Sequence, residues 1–386
     1  MRHFQLYNPV RVLFGVNQIA NIGRYIPAGV KVLVTYGGGS IKKNGVYEQV
    51  CDALKGFTFM EFGGIEPNPK YETLMKAVEI VRKENIGFLL AVGGGSVMDG
   101  TKFIAAASCF EGGDPYTICT EGAEVKKAVP LGCVATLPAT GSEMNAGAVI
   151  SRLSTQEKFA FHSPLVFPQF SVLDPTVTLS LPPRQRANGV VDAFIHVTEQ
   201  YLTYPADAKV QDRFAEGLLL TLIEEGPNYV HQPDDIDTAS NVVWAATMAL
   251  NGLIAAGVPE DWATHQIGHE ITALEGLDHA QTLALVWPGL QKTMRASKRE
   301  KLLQFAERIW NLRDGDEDHR IDEAIARTEA FFRSLGVGTR ITDYPQLASS
   351  DFIDVIVERF RKRDTHLGER AEIDCDTVRR ILEDRR

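Results

Sequence analysis

The first half of the chain alternates short β-branched runs with glycine-rich breaks. Lys31-Val-Leu-Val-Thr-Tyr36 stops at Gly37-Gly-Gly-Ser40, and Phe57-Thr-Phe-Met-Glu-Phe62 stops at Gly63-Gly64. Ile86-Gly-Phe-Leu-Leu-Ala-Val92 stops at Gly93-Gly-Gly-Ser96, and Leu131-Gly-Cys-Val-Ala-Thr-Leu137 stops at Pro138. Each run predicts a strand. Between them, residues 71–83 carry Leu74, Ala77, Val78 and Val81 at helical spacing. Asn68-Pro69 ahead of that stretch reads as an N-cap followed by proline at the first helical position. Strands alternating with helices of this length predict a parallel sheet covered on both faces. After Leu181-Pro182-Pro183 the period changes, and residues 210–225, 238–256, 299–310 and 322–335 all repeat with helical spacing. The expected architecture is an α/β, Rossmann-like dinucleotide-binding domain over 1–183 and an all-helical domain over 184–386. The charge run Arg313-Asp-Gly-Asp-Glu-Asp-His-Arg320 reads as a solvated loop.

Composition narrows the function classes. The 386 residues include 40 Lys plus Arg against 50 Asp plus Glu, a net charge of −10 with no basic stripe, which argues against a nucleic-acid binder. No apolar run approaches the ~20 residues of a membrane span. The opening residues lack the apolar core of a secretory signal. Cys51, Cys109, Cys119, Cys133 and Cys375 are scattered and never form CxxC, so they read as buried thiols in a reducing compartment. A cytoplasmic location is the expectation.

Two GGGS turns, beginning at Gly37 and Gly93, each follow a predicted strand. Glycine lets backbone N–H groups approach an anion closely, and the next helix offers the favourable end of its dipole. Two such turns in one sheet suit the separated phosphates of a dinucleotide. Neither is a strict GxGxxG, because Met98 stands where the third glycine would be. Gly95-x4-Gly100-Thr101-Lys102 inverts the Lys-Ser/Thr order of a P-loop, which argues against an NTPase. Thr136-Leu-Pro-Ala-Thr-Gly-Ser-Glu143 adds hydroxyls at the same sheet edge, where ligands of open α/β sheets bind.

Of nine histidines, five lie between residues 196 and 279. Asp192-x3-His196 and His265-x3-His269 each place two side chains on one helix face, and His279 follows. A carboxylate with several imidazoles suits Zn²⁺ or Fe²⁺. Gln266 occupies the glutamate position of HExxH, so this is not a zinc-protease helix.

Taken together, Gly93-Gly-Gly-Ser-Val-Met-Asp99-Gly-Thr-Lys102, Thr136–Glu143, Asp192-x3-His196 and His265-x3-His269-x9-His279 resemble the iron-dependent (group III) alcohol dehydrogenase family. The match runs the whole chain. Tyr36–Ser40, Gly63-Gly-Ile-Glu-Pro-Asn-Pro69 and Gly189-Val-Val-Asp-Ala-Phe resemble its branch of bacterial NADPH-dependent aldehyde reductases and butanol dehydrogenases. The resemblance implies a dehydroquinate synthase-like architecture with a metal in the cleft between two domains. It implies Asp192, His196, His265 and His279 as metal ligands, and His269 as the histidine beside substrate and nicotinamide. Gly94, Gly95, Ser96 and Asp99 would contact the pyrophosphate and nearby ribose. Thr136, Leu137 and Thr140 would line the adenine side, and Asn145 and Lys158 would approach the nicotinamide end. Gly37, Gly38, Gly39, Ser40 and Asn68 complete the cofactor set. Glu275 is a departure, since close relatives carry histidine there, and it changes only the local polarity.

The implied function is reduction of aldehydes to primary alcohols, and the reverse, by hydride transfer from NADPH, with a Zn²⁺ or Fe²⁺ ion polarising the carbonyl. NADP(H) is expected over NAD(H) because the turn after Tyr36 carries no acid to repel a 2′-phosphate, while Ser40, Lys42 and Lys43 offer donors and charge. The resemblance also implies a homodimer. Two rival readings remain: a dehydroquinate-synthase type of lyase, disfavoured by sparse Lys and Arg in the motifs, and a non-catalytic nucleotide sensor, disfavoured by the complete ligand set.

Overall fold

The computed structural model describes residues 1–232, 234–348 and 351–386. The chain divides into two compact units. One holds Tyr7–Leu181 and most of the helix Ile236–Ala249; the other holds Met1–Leu6, Pro182–Gln232 and Met248–Arg386. The main crossing falls beside the expected boundary at 183. Two segments change sides relative to a single cut, Met1–Leu6 and the helix from Ile236. In the latter, Thr247 Oγ1 donates to Glu143 Oε1 at 2.5 Å and Trp244 packs edge-on against Phe14. Such distant partners leave no mark on local periodicity.

The first unit carries a six-stranded parallel sheet in the order β1-β8-β5-β4-β2-β3. The strands are β1 Arg11–Phe14, β2 Lys31–Tyr36, β3 Thr58–Phe62, β4 Phe88–Gly93, β5 Leu131–Ala135 and β8 Phe170–Leu173. Alternate residues serve opposite faces. Leu33, Leu89, Ala91, Leu131 and Cys133 pack with the helices Tyr71–Lys83 and Gly95–Ser108. Val32, Val34, Leu90, Val92 and Val134 pack with Ile19, Ile22, Val46 and Val50 on the other side. Burial on both faces explains why the central β4 is an unbroken apolar run.

The chain leaves β2 toward β3 on one side and returns to β4 on the other, so strand order reverses between β2 and β4. Both GGGS turns sit at the carboxyl ends of these two strands, the position where doubly wound sheets bind ligands. The hairpin β6 Gly147–Arg152 and β7 Glu157–His162 was not foreseen from the pattern. Asn68 does not cap the helix that begins at Tyr71. Lys70 holds that position, while Asn68 has φ +54°, its N–H donates to Ser96 Oγ and its side chain accepts from Lys158 Nζ.

The second unit is helix-rich, and its long helices include Pro183–Tyr201, Lys209–His231, Ala263–Glu275, His279–Thr293, Arg299–Arg308 and Glu317–Ser334. Pro183–Tyr201 is buried almost all round from Arg186 onward, as a core helix requires. Gly268 lets Ala263–Glu275 approach His279–Thr293, since a Cβ there would lie 2.7 Å from Thr282 Oγ1. The charge run at 313–320 is only partly a loop. Asp316 accepts from the His319 N–H and starts a helix at Glu317, where Arg299 pairs with Glu317 and Asp318. All five cysteines are free; Cys133 is buried and the other four are half-buried. Among the described residues, no helix is long and apolar enough to cross a membrane.

Candidate functional site

Three helices of the second unit bring four sequence-marked side chains together. Asp192 and His196 lie one turn apart on Pro183–Tyr201, His265 lies in the first turn of Ala263–Glu275, and His279 opens His279–Thr293. Asp192 Oδ1 stands 3.7 Å from His196 Nε2, 3.8 Å from His265 Nε2 and 3.7 Å from His279 Nε2. These distances are too long for hydrogen bonds. Donors about 2.1 Å from a tetrahedral ion lie about 3.4 Å apart, so each imidazole stands within a few tenths of an ångström of that spacing from Asp192 Oδ1. Among the described residues, Asp192, His265 and His279 form the tight trio, with donor atoms all within 4.8 Å. His196 stands beside it, its ring stacked on that of His265 with centroids 4.6 Å apart.

The decisive feature for a metal is His265. Its buried Nε2 has no hydrogen-bond partner among the described residues. Its Nδ1 is in short contact with Glu199 Oε2, the arrangement that leaves Nε2 as a lone-pair donor toward the centre. Burial disfavours charge on His265, but the carboxylates of Glu199 and Asp192 outweigh it and raise its pKa to about 9. The pocket therefore attracts a cation. The donor set and its buried, carboxylate-oriented imidazole fit a divalent metal ion.

Glu199 and Trp262 were missed in the sequence. Glu199 follows His196 by three residues and Asp192 by seven on the same helix face, which was the available signal. Trp262 left none. It holds a left-handed φ of 60°, a conformation costing about 1–3 kcal/mol for a bulky residue. Its indole N–H donates to Glu260 Oε2 and its ring lies edge-on to His265 at 5.3 Å. Asn188, one turn before Asp192, donates to Asp278, the residue before His279, and so ties the helix of Asp192 to that of His279. His269 is half-buried, with its ring centroid 5.2 Å from that of His279 and 6.2 Å from that of His265. Glu275 is half-buried at the end of the same helix.

In the sheet unit, the register sets Tyr36 beside Val92 and Gly93 beside Ala135, so the loops after β2, β4 and β5 are neighbours. A Cβ at Gly94 would lie 3.1 Å from Leu137, and one at Gly95 would lie 2.4 Å from Thr140. Among the described residues no side-chain cap hydrogen bond closes the helix that begins at Gly95, which leaves its first N–H groups for an anion. Thr136 is buried beneath this edge. Ser96, Asn68 and Lys158 form one hydrogen-bonded chain, while Asn145 Oδ1 accepts from the buried Lys102 Nζ at 2.9 Å. Both Asp99 oxygens already accept protein donors, Ser142 Oγ at 2.6 Å and the Val149 N–H at 2.9 Å. That carboxylate holds β6 and the Ser142 turn to the helix.

Around the first turn, a Cβ at Gly38 or Gly39 would meet nothing within 4 Å, and Gly39 takes φ +88°. An acid does stand near this turn. Glu61 on β3, in register with Val34, takes a 2.8 Å ion pair from Lys42 and hydrogen bonds from Tyr36 and Tyr47. Burial works to raise the Glu61 pKa, but the bonds from Lys42, Tyr47 and Tyr36 lower it overall. The charge on Lys42, expected for a phosphate, is engaged by this neighbour from the next strand.

Comparison with known proteins gives a consistent picture. The family model for iron-containing alcohol dehydrogenase matches residues 9–175, and the model for the C-terminal part of the Fe-containing alcohol dehydrogenase family matches residues 186–385. The chain is 60% identical over 386 residues to the NADPH-dependent aldehyde reductase YqhD of Escherichia coli, covering 99% of each chain. It is 38% identical to a probable NADH-dependent butanol dehydrogenase of Bacillus subtilis, again over 99% of each. The crystal structure of E. coli YqhD superposes with a TM-score of 0.98, covering 100% of this chain and 99% of that one at 58% identity. An NADH-dependent butanol dehydrogenase A of Thermotoga maritima superposes with a TM-score of 0.94 at 35% identity, covering 100% and 99%. Of the two metals expected, the family descriptions name iron, and zinc draws no support from them.

Proposed function

We propose that this chain, which belongs to the iron-containing alcohol dehydrogenase family, reduces aldehydes to primary alcohols with NADPH and runs the reverse reaction with NADP⁺. The observation that carries the reading is the convergence of three imidazole Nε2 atoms on Asp192 Oδ1, with His265 already oriented by a carboxylate. A divalent iron held by Asp192, His196, His265 and His279 would supply carbonyl polarisation, and NADPH would supply the hydride. Everything else falls to the protein. Residues 1–183 serve as the dinucleotide domain and 184–386 as the metal and substrate domain. The uncapped helix start at Gly95 and Ser96 faces phosphate, Gly37–Ser40 takes the ribose phosphate, and Thr136, Leu137 and Thr140 border the adenine. Asn68, Asn145 and Lys158 position the nicotinamide end, and Asp99 holds the shape of that edge. The enzyme works as a homodimer in the cytoplasm.

Reduction needs a proton at the substrate oxygen as well as a hydride at carbon. His269 is proposed to hold that proton. It sits one turn from His265 on the same helix face and is half-buried, beside the His279 ring. His269→Ala is expected to lower kcat by about 10²-fold, the range of general acid catalysis, while iron stays stoichiometric by elemental analysis. Parallel loss of metal and activity would move His269 into the ligand set. The function itself is tested by following NADPH absorbance with butyraldehyde. Turnover of the aldehyde supports the reading, and failure of the iron-loaded protein to oxidise NADPH against an aldehyde series refutes it.

The cofactor edge gives a separate test. Gly95→Ala places a methyl 2.4 Å from Thr140 Cγ2 and 2.5 Å from its Oγ1. Relieving that overlap costs about 1–3 kcal/mol and displaces the loop after β5. If the cost falls on the bound state, the Kd for NADPH rises about tenfold. Fluorescence titration of the nucleotide, with iron content as the control, measures it; unchanged affinity removes Gly95 from the site.

A further inference from the structure

Glu199 lies at the point where the helix Ala263–Glu275 meets the metal centre, and it is only 2% exposed. Its Oε1 accepts from the Thr264 N–H at 2.6 Å and from the His265 N–H at 3.3 Å. These are two of the first N–H groups of that helix, which have no partner within the helix. Trp262, at the N-cap position, offers no side-chain cap, and Asp261 Oδ1 takes the preceding N–H of Ala263. The other Glu199 oxygen, Oε2, pairs with His265 Nδ1. The Glu199 carbonyl also accepts from the Asp261 N–H at 2.9 Å, anchoring the segment that leads into the helix.

We infer that Glu199 is a positioning residue for the metal centre: one carboxylate caps the His265 helix and fixes the His265 tautomer, so that Nε2 is presented unprotonated to the metal. The inference rests on the proposed metal site. With Oε1 anchored on two backbone N–H groups, Oε2 has a fixed place, and a carboxylate there can only accept. Nδ1 must therefore keep a proton, and in the neutral imidazole that a metal requires the proton-free nitrogen is the one 3.8 Å from Asp192 Oδ1. A cap alone would need only one oxygen, and a tautomer lock alone would not fix the ring's height along the helix. Both functions in one side chain set the register and rotation of the imidazole together.

The test exploits the two oxygens separately. Glu199→Gln keeps a carbonyl oxygen for the backbone N–H groups but turns an NH₂ group toward Nδ1. That donor favours the opposite tautomer, with the proton on Nε2. Fe²⁺ affinity, measured anaerobically against a competing chelator, is expected to fall about 10–100-fold, the range found for partners of metal-bound histidines. The thermal midpoint of the metal-free protein is expected to stay within a few degrees of wild type. Unchanged Fe²⁺ affinity in the folded variant overturns the inference, because a purely structural cap predicts that result. If the variant does not fold, the wild-type protein decides. Loaded with Zn²⁺ as a diamagnetic stand-in, its ¹⁵N–¹H spectra should show His265 protonated at Nδ1, and protonation at Nε2 overturns the inference. Wild-type protein that binds no Fe²⁺ would instead overturn the proposed function, and this inference with it.

Discussion

His265→Ala is expected to abolish aldehyde reduction, by at least about a thousandfold, while leaving NADPH affinity within a few-fold of wild type. The magnitude follows from the role of the ion. Carbonyl polarisation by a metal contributes several kcal/mol to transition-state stabilisation, and each 1.36 kcal/mol is tenfold in rate. The selectivity follows from the map of the chain. Asp192, His196, His265 and His279 all belong to the helix-rich unit, and the glycine turns all belong to the sheet unit. The substitution also removes the partner of the buried Glu199 Oε2, a loss worth about 1–3 kcal/mol of stability. Circular dichroism and the melting temperature of the variant must therefore accompany the kinetics. Iron content should fall with activity, and nucleotide titration should not change. Exhaustive chelation of the wild-type enzyme is the parallel experiment. Full turnover with iron verified absent would refute the metal assignment altogether.

The second large effect is expected at the first glycine turn. Wild-type enzyme should favour NADPH over NADH in kcat/KM, and Gly37→Asp should move that preference toward NADH. A carboxylate after this strand accepts hydrogen bonds from a ribose 2′-hydroxyl and repels a 2′-phosphate, a like-charge contact costing on the order of a few kcal/mol. The fit is tight: a Cβ at Gly37 would lie 3.2 Å from the Ile65 carbonyl, which must give by a few tenths of an ångström, and 3.6 Å from Val97. Gly38→Asp is the roomier companion variant, because nothing lies within 4 Å of its Cβ. Lys42 pairs with Glu61, so the selectivity proposed for this turn would rest on the open backbone of Gly37–Gly39 and on the Ser40 hydroxyl. Comparable kcat/KM for the two cofactors in the wild-type enzyme would remove the turn from phosphate recognition.

The central strands β2, β4 and β5 were legible because burial on both faces demands unbroken apolar runs, while the fourth foreseen run overlaps β3, a half-exposed edge strand. The edge strand β1, the short β8 and the β6–β7 hairpin lacked that signature. Asn68 shows how a local rule yields to tertiary context, since its partners Ser96 and Lys158 lie 28 and 90 residues away. The candidate metal centre was legible in part. Asp192–His196 and His265–His269 carry a helical spacing that announces a shared face, His279 follows nearby in the chain, and resemblance supplied the ligand roles. Glu199 shared the first face but carried no motif of its own.

Sequence alone determined which side chains could bind a cation and which turns could receive an anion, because residue type and helical or strand period are local properties. Only tertiary structure decided which of these meet. It closed three Nε2 atoms on Asp192 Oδ1 from three helices, gave His265 its direction through Glu199, and set Glu61 against Lys42 through the β2–β3 register. Each of those outcomes depends on how distant segments pack, and the energy that fixes packing is shared across the whole core rather than written at any one position.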